Sequence, residues 1–147
     1  MKIHNNDKSQ RGQSLVEFSV SMVFVLVLLA GLVDIGRGMF AYMALRDAAQ
    51  EGAAYGSLNP SMTSAIEDRV VGSSTMLQSL RDEYGESAPV DIQVNYMGSL
   101  CTGNGIEVTV TYDDFPVTMP LVGLFLGSQS VDISASAANT ILTPKCE

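Results

Sequence analysis

The hydrophobic pattern along the chain changes period twice. From Leu15 to Val33 apolar residues follow one another almost without interruption, broken by Glu17 and by small residues such as Ser19, Ser21 and Gly31. The run is roughly 19 residues long, and at about 1.5 Å per residue a helix of that length spans close to the ~30 Å hydrocarbon core of a bilayer. It predicts one transmembrane helix. From Asp34 to Gly56 the apolar residues Met39, Phe40, Met43, Leu45 and Tyr55 are set among polar ones with no proline between them. The helix is therefore expected to continue to about residue 57, with Gly36 and Gly38 as points of flexibility at the membrane surface. Ala44, Ala48, Gly52 and Gly56 fall on every fourth position and so on one face, where two backbones can approach closely. Two readings of that seam stay open: packing against this protein's own globular part, or against another subunit.

Asn59-Pro60 punctuates the chain, with Asn59 suited to an N-cap and Pro60 to a first helical position. Beyond it Met62, Ala65, Ile66, Val70, Val71, Met76, Leu77, Leu80 and Tyr84 give an amphipathic pattern, interrupted at Gly72-Ser73-Ser74. A second helix that breaks there and ends over Gly85 to Pro89 is expected. The period then becomes two. Val90, Ile92, Val94 and Tyr96 alternate with polar residues, as do Ile106, Val108, Val110 and Tyr112, and "SVDISASAA" repeats the alternation through Val131, Ile133 and Ala135. These are three half-buried strands, the first two joined by a loop with Gly98, Cys101 and Gly103-Asn104-Gly105. "FPVTMPLVGLFLG", with Pro116 and Pro120, is too short for a span and reads as a loop or short helix covering the sheet, or as an apolar patch for a partner or the bilayer surface. The fold class is α+β: a long N-terminal helix, transmembrane in one half and amphipathic in the other, packed on a small domain with a second helix and a three-stranded antiparallel sheet. The organisation is a basic leader over residues 1–12, the long helix over 13–57 with its membrane segment at about 15–33, and an α+β domain over 58–147.

Charge gives this plan an orientation. The chain has 147 residues with 8 basic against 16 acidic ones, a net charge of −8, yet Lys2, Lys8 and Arg11 stand ahead of Gly12 against Asp7 alone. By the positive-inside rule the short N-terminus stays in the cytoplasm and the C-terminal part is exported. The acidic balance argues against nucleic acid, which needs a basic footprint. A cleavable secretory signal is the competing reading of the N-terminus, but its apolar region usually covers about 7 to 15 residues before a small-x-small site, whereas Asp34, Arg37 and a continuing helical pattern follow here. Cys101 and Cys146, the only two cysteines, both fall in the exported part, where an even count reads as a disulfide. An antiparallel second and third strand returns Cys146 toward Cys101; two unrelated buried thiols is the other reading.

Enzyme chemistry is not advertised. His4 is the only histidine and lies in the leader. No exported serine or cysteine has an imidazole to act as base, no cluster has metal-ligand spacing, and no glycine loop suits a phosphate. No cofactor is expected, and the pairs Asp113-Asp114 and Glu67-Asp68 read as solvated faces rather than as acid and base. Glu17 is the unexplained residue. A carboxylate entering hydrocarbon costs a few kcal/mol on insertion scales, so an intramembrane acid is a functional candidate by default.

Gly12 precedes that acid by five residues, and this Gly-x-x-x-x-Glu stands between a basic leader and an apolar helix. At these residues the sequence resembles the class III signal sequences of pilins and pseudopilins. The resemblance implies cutting by a prepilin peptidase between Gly12 and Gln13, which leaves an α-amino group, mostly cationic at neutral pH, to neutralise the Glu17 of a neighbouring subunit. More narrowly, Glu17-Phe18, the Asp-x-Gly-Arg of Asp34 to Arg37, and the Ala-rich segment from Ala48 to Ala53 resemble the N-terminal signature of the TadE-like family of tight adherence (Tad/Flp) pilus systems. The C-terminal "VTVTYDDFPVTMPLVGLFLG" with its following Ala/Ser strand is similar to that family too. The likeness implies a minor pilin or pseudopilin, with other pilins, the peptidase, an assembly ATPase and an inner-membrane platform as partners. Phe18 in place of the tyrosine usual in small Flp major pilins, together with the large exported domain, argues against a major pilin. Gln13 is unlike the phenylalanine or methionine that often opens mature type IV and type II subunits. The alternative is an uncleaved bitopic inner-membrane protein whose exported domain binds partners in a secretion or pilus assembly complex; a periplasmic enzyme ranks third.

Overall fold

The computed structural model describes residues 7–120 and 122–145. One helix, α1 (Asp7–Leu58), runs unbroken for 52 residues, about 78 Å at 1.5 Å per residue. It passes straight through Gly36 and Gly38, where the sequence suggested flexibility, because the i to i−4 ladder on either side is intact and glycine weakens a helix by only about 1 kcal/mol relative to alanine. It also starts ahead of Gln13, since Lys8, Ser9, Gln10 and Arg11 include no helix breaker.

The two halves of α1 meet different surroundings. Nearly every large side chain from Leu15 to Ile35 is exposed, whereas Ala41, Leu45, Ala48, Ala49 and Ala53 are buried. Their spacing draws a stripe along one face, as expected of a helix that faces a core on one side only. The stripe lies on a sheet of order β1-β2-β3, formed by β1 (Val90–Met97), β2 (Gly105–Pro116) and β3 (Ser130–Thr140). Both pairings are antiparallel, Val94 facing Val108 and Val110 facing Ala135. In central β2 the alternation anticipated from sequence puts Ile106, Val108 and Val110 fully inside.

Two helices rather than one follow α1: α2 (Thr63–Ser73) and α3 (Thr75–Tyr84). The break falls at Ser74, whose extended backbone (φ −127°, ψ 123°) separates them. Ile66, Val70 and Val71 of α2 and Leu77 of α3 enter the core. The expected start at Asn59-Pro60 is corrected: Met62 is the N-cap and Thr63 the first helical residue. The Asn59 amide still donates to Tyr55 O at 3.1 Å, and Met62 donates to Asn59 O at 3.2 Å. Residues 59–62 thus form a turn, in which proline's fixed φ suits the second position. The Tyr96 hydroxyl on β1 holds that turn by donating to Pro60 O at 2.6 Å.

The carbonyls at the end of α1 find partners far along the chain. Leu142 N donates to Ser57 O at 2.8 Å and Thr143 Oγ1 to Leu58 O at 2.6 Å, satisfying groups that a helix C-terminus leaves unpaired. The segment after β3 is thereby fixed across the end of the rod.

Gly52 and Gly56 set how closely α1, α2 and β2 meet. A Cβ on Gly52 would stand 2.4 Å from Val70 Cγ2 and 3.3 Å from Val108 Cγ1; one on Gly56 would stand 2.5 Å from Ile106 Cδ1. Gly72, by contrast, has nothing within 4 Å. Thermal unfolding of the full chain should show Gly52→Val losing about 1–3 kcal/mol through overpacking, while Gly72→Ala gains up to about 1 kcal/mol from helix propensity. Equal stability of the two variants would mean that α1 does not pack this closely.

Candidate functional site

The residues singled out from sequence lie on three separate parts of the molecule. Gly12, Gln13, Glu17 and Phe18 sit in the early turns of α1, all exposed. The Ser19 hydroxyl bonds back to Leu15 O at 2.8 Å, so that group is satisfied within the helix. A Cβ on Gly12 would have nothing within 4 Å, so packing inside the chain does not account for that glycine, as it does for Gly52 and Gly56.

The small-residue seam lies some 30 residues further on. Ala48, Gly52 and Gly56 are buried and Ala44 is half-buried, and the side chains beside Gly52 and Gly56 belong to α2 and β2 of the same chain. Of the two readings of the seam, the one in which it packs on the protein's own domain describes this arrangement. Cys101 lies in the loop before β2, where Thr102 N donates to Pro144 O at 2.9 Å and Gly103 N to Ile141 O at 3.0 Å. Cys146 is outside the described residues.

Asp113 and Asp114 sit at a register shift between Tyr112 and Phe115 in β2. Asp114 has φ 55°, a left-handed conformation that aspartate tolerates better than most residues. Its amide donates to Asp132 Oδ1 at 3.0 Å and its own carboxylate accepts from Ser130 Oγ at 2.8 Å. The pair therefore shapes the strand where it bends past α1. Among the described residues no group of three or more His, Cys, Asp or Glu is placed to hold a metal ion.

What the sequence did not disclose is the joint between the Asp-x-Gly-Arg segment and the β2–β3 loop. Asp34 ends the apolar run, and its side chain is only 9% exposed. Its Oδ1 accepts the Thr118 amide at 3.1 Å and also the Thr118 hydroxyl, and its Oδ2 accepts the Met119 amide. Arg37, one turn on, approaches Oδ1 at 3.5 Å and lays its guanidinium 5.3 Å from the centre of the Phe115 ring. One carboxylate thus gathers three donors from a loop 84 and 85 positions away. The Thr118 hydroxyl, and after it the two backbone amides and the Arg37 charge, hold the Asp34 carboxyl below its ordinary value of 3.8 against the opposing effect of burial. The signal available in the sequence was the lone acid at the end of a span beside an uncharged, threonine-containing loop.

A depressed carboxylate contributes in full above its unfolded value and loses that contribution as pH falls through its lower folded value. In an NMR titration the Thr118 and Met119 amide resonances should shift together with a midpoint below the ordinary carboxylate value of 3.8. Asp34→Asn should move both amides at neutral pH. Resonances that are unchanged in that variant would show that the joint is not formed.

Comparison with known proteins bears on the helix. No curated protein and no solved structure matches the chain. A family described as TadE-like protein matches residues 12–54, from the exposed glycine to the last turn of α1, and the C-terminal likeness noted from sequence lies outside that match. Within the described residues α1 is also the one helix long and apolar enough to cross a membrane, which fits a single-pass membrane protein. The long helix, with its exposed first half, its Asp34–Arg37 joint and its buried small-residue stripe, is the part of this chain that the TadE-like family matches.

Proposed function

We propose that the chain is a minor pilin or pseudopilin of a Tad-type pilus, a structural or assembly-priming subunit cut by a prepilin peptidase between Gly12 and Gln13. The observation that carries this reading is the TadE-like match over residues 12–54, laid on a helix whose first half is largely exposed among the described residues. Such a surface has two natural neighbours, lipid before assembly and the helices of other pilins after it. The basic leader sets the orientation, with the N-terminus cytoplasmic and the α+β domain on the outer face of the inner membrane.

In this reading Glu17 governs assembly. An acid in hydrocarbon is costly, and the new α-amino group of Gln13 in an adjoining subunit offsets that cost only when helices bundle. Phe18 beside it adds apolar area to the same surface. Other pilins and pseudopilins are the direct partners, with the peptidase and the inner-membrane assembly platform acting earlier. Cys101 and Cys146 pair in the exported compartment, a reading supported by the Thr102 to Pro144 backbone bond of 2.9 Å, which brings the two loops together.

Mass spectrometry of the protein from cells with and without the peptidase should find Gln13 as the first residue only when the peptidase is present. Filaments built from subunits that keep their first twelve residues would remove the processing claim. Glu17→Gln should insert in the membrane normally but fail to enter filaments; normal assembly of that variant would favour the uncleaved bitopic reading. Peptide mapping without reductant should recover Cys101 joined to Cys146, and reduction should lower domain stability by about 2–4 kcal/mol; two alkylatable thiols in native protein would overturn the pairing.

A further inference from the structure

The β2–β3 connection carries no charged residue from Phe115 to Val131, which is unusual for a surface loop, and its place along α1 gives that composition a meaning. A Cβ on Gly38 would stand 3.9 Å from Ile133 Cδ1. Three residues before Ile133, at Ser130, the chain has advanced about 10 Å toward the N-terminal half of α1 at strand rise, equivalent to six or seven helical residues at about 1.5 Å each. The loop therefore begins near the level of residues 31–34. Two contacts agree: Thr118 and Met119 bond to Asp34, and a Cβ on Gly31 would stand 3.2 Å from Met119 Sδ. Gly31 belongs to the apolar run itself. Met119 therefore lies beside the apolar run, and in the same loop Leu124 on α4 (Val122–Leu126) is 79% exposed.

Irregular backbone is tolerated at membrane depth only if its polar groups are satisfied by protein, and several groups of this loop are met that way. Val117 N donates to Gln129 O at 2.9 Å. The Gln129 side chain donates to Val117 O at 3.0 Å and Met119 O at 2.9 Å and accepts from Gly123 N at 3.2 Å. Gly127 N closes on Gly123 O at 3.0 Å, and Pro120 has no N–H to satisfy. Asp34 supplies the remaining acceptors for Thr118 and Met119.

We propose that this loop is a second membrane contact: its tip, with α4 and Leu124, lies in the acyl-chain boundary of the leaflet on the domain's side, beside the α1 span. The partner is the lipid surface, continuous with the bilayer around α1, and the proposal rests on the reading of residues 15–33 as the span. Asp34 then has two duties, marking the end of the span and holding the domain at a fixed height and rotation over the membrane.

The sequence contains no tryptophan, so a single Leu124→Trp, Phe24→Trp or Leu142→Trp substitution makes the full-length chain report on one place. All three positions are exposed; Phe24 lies in the span, and Leu142 lies beside Ser57 at the far end of the domain. In phosphatidylcholine and phosphatidylglycerol vesicles, Leu124→Trp should emit at shorter wavelength than Leu142→Trp. It should be quenched roughly twofold by lipids brominated near the headgroup end of the acyl chain, consistent with a depth of about 5–10 Å for interfacial elements. Leu142→Trp should respond to aqueous iodide instead. If Phe24→Trp is quenched by brominated lipid while Leu124→Trp is quenched by iodide, the loop proposal is overturned and the span stands. Protection of Leu124→Trp from both quenchers would mean that protein covers it, which also overturns the proposal. No lipid quenching of Phe24→Trp would end the span reading and this proposal together.

Discussion

One rod must satisfy two solvents, and the rest of the structure follows from how it does so. A helix pairs its own backbone groups internally, so a single helix can enter hydrocarbon and emerge from it without a break. Its side chains cannot be indifferent in the same way. Below Asp34 they are mostly large, apolar and exposed; above it a stripe through Ala41, Leu45, Ala48 and Ala53 is buried. The small residues on that stripe let a sheet and a second helix come down onto the rod, and the domain core is built around that approach.

Asp34 is where the two regimes meet. A carboxylate at the end of a span is unfavourable unless its oxygens are occupied, and here they take three donors from one loop and a guanidinium from the next turn. The same bonds carry the loop down the helix to Gly31. A residue that on its own would mark only the limit of an apolar run thereby fixes the domain to the rod a second time, far from the core. The close packing at Gly52 and Gly56 and the joint at Asp34 hold the domain at two levels of α1, which resists rocking about either one.

In the proposed pilin reading that rigidity suits a subunit whose helix joins others. Helices that bundle through their first halves place the attached domains in defined positions only if each domain is fixed to its own helix. The seam at Gly52 and Gly56 is occupied from within the chain, and in the proposed reading it is the exposed face below Asp34, with Glu17 and Phe18, that meets other subunits. The TadE-like match covers residues 12–54, most of the rod and none of the domain.

Local pattern made much of this legible. The unbroken apolar run, the alternation in Val90 to Tyr96 and Ile106 to Tyr112, and the interruption at Gly72-Ser73-Ser74 each announce their element because side-chain periodicity is a property of neighbouring residues. Turn geometry was less legible: Asn59-Pro60 carries helix-start chemistry but closes a turn, since Asn59 still bonds into α1 and Tyr96, 36 positions beyond Pro60, holds the carbonyl. Sequence by itself determined the membrane-length helix, the αβ class and the strand faces, all of which are written in hydrophobic period. Only tertiary structure decided that the small seam faces inward, that Asp114 shapes a bend, and that Asp34 binds Thr118 and Met119. Those outcomes depend on which surfaces meet, and hydrogen bonds between residues 84 or more positions apart leave no periodic trace in the chain that makes them.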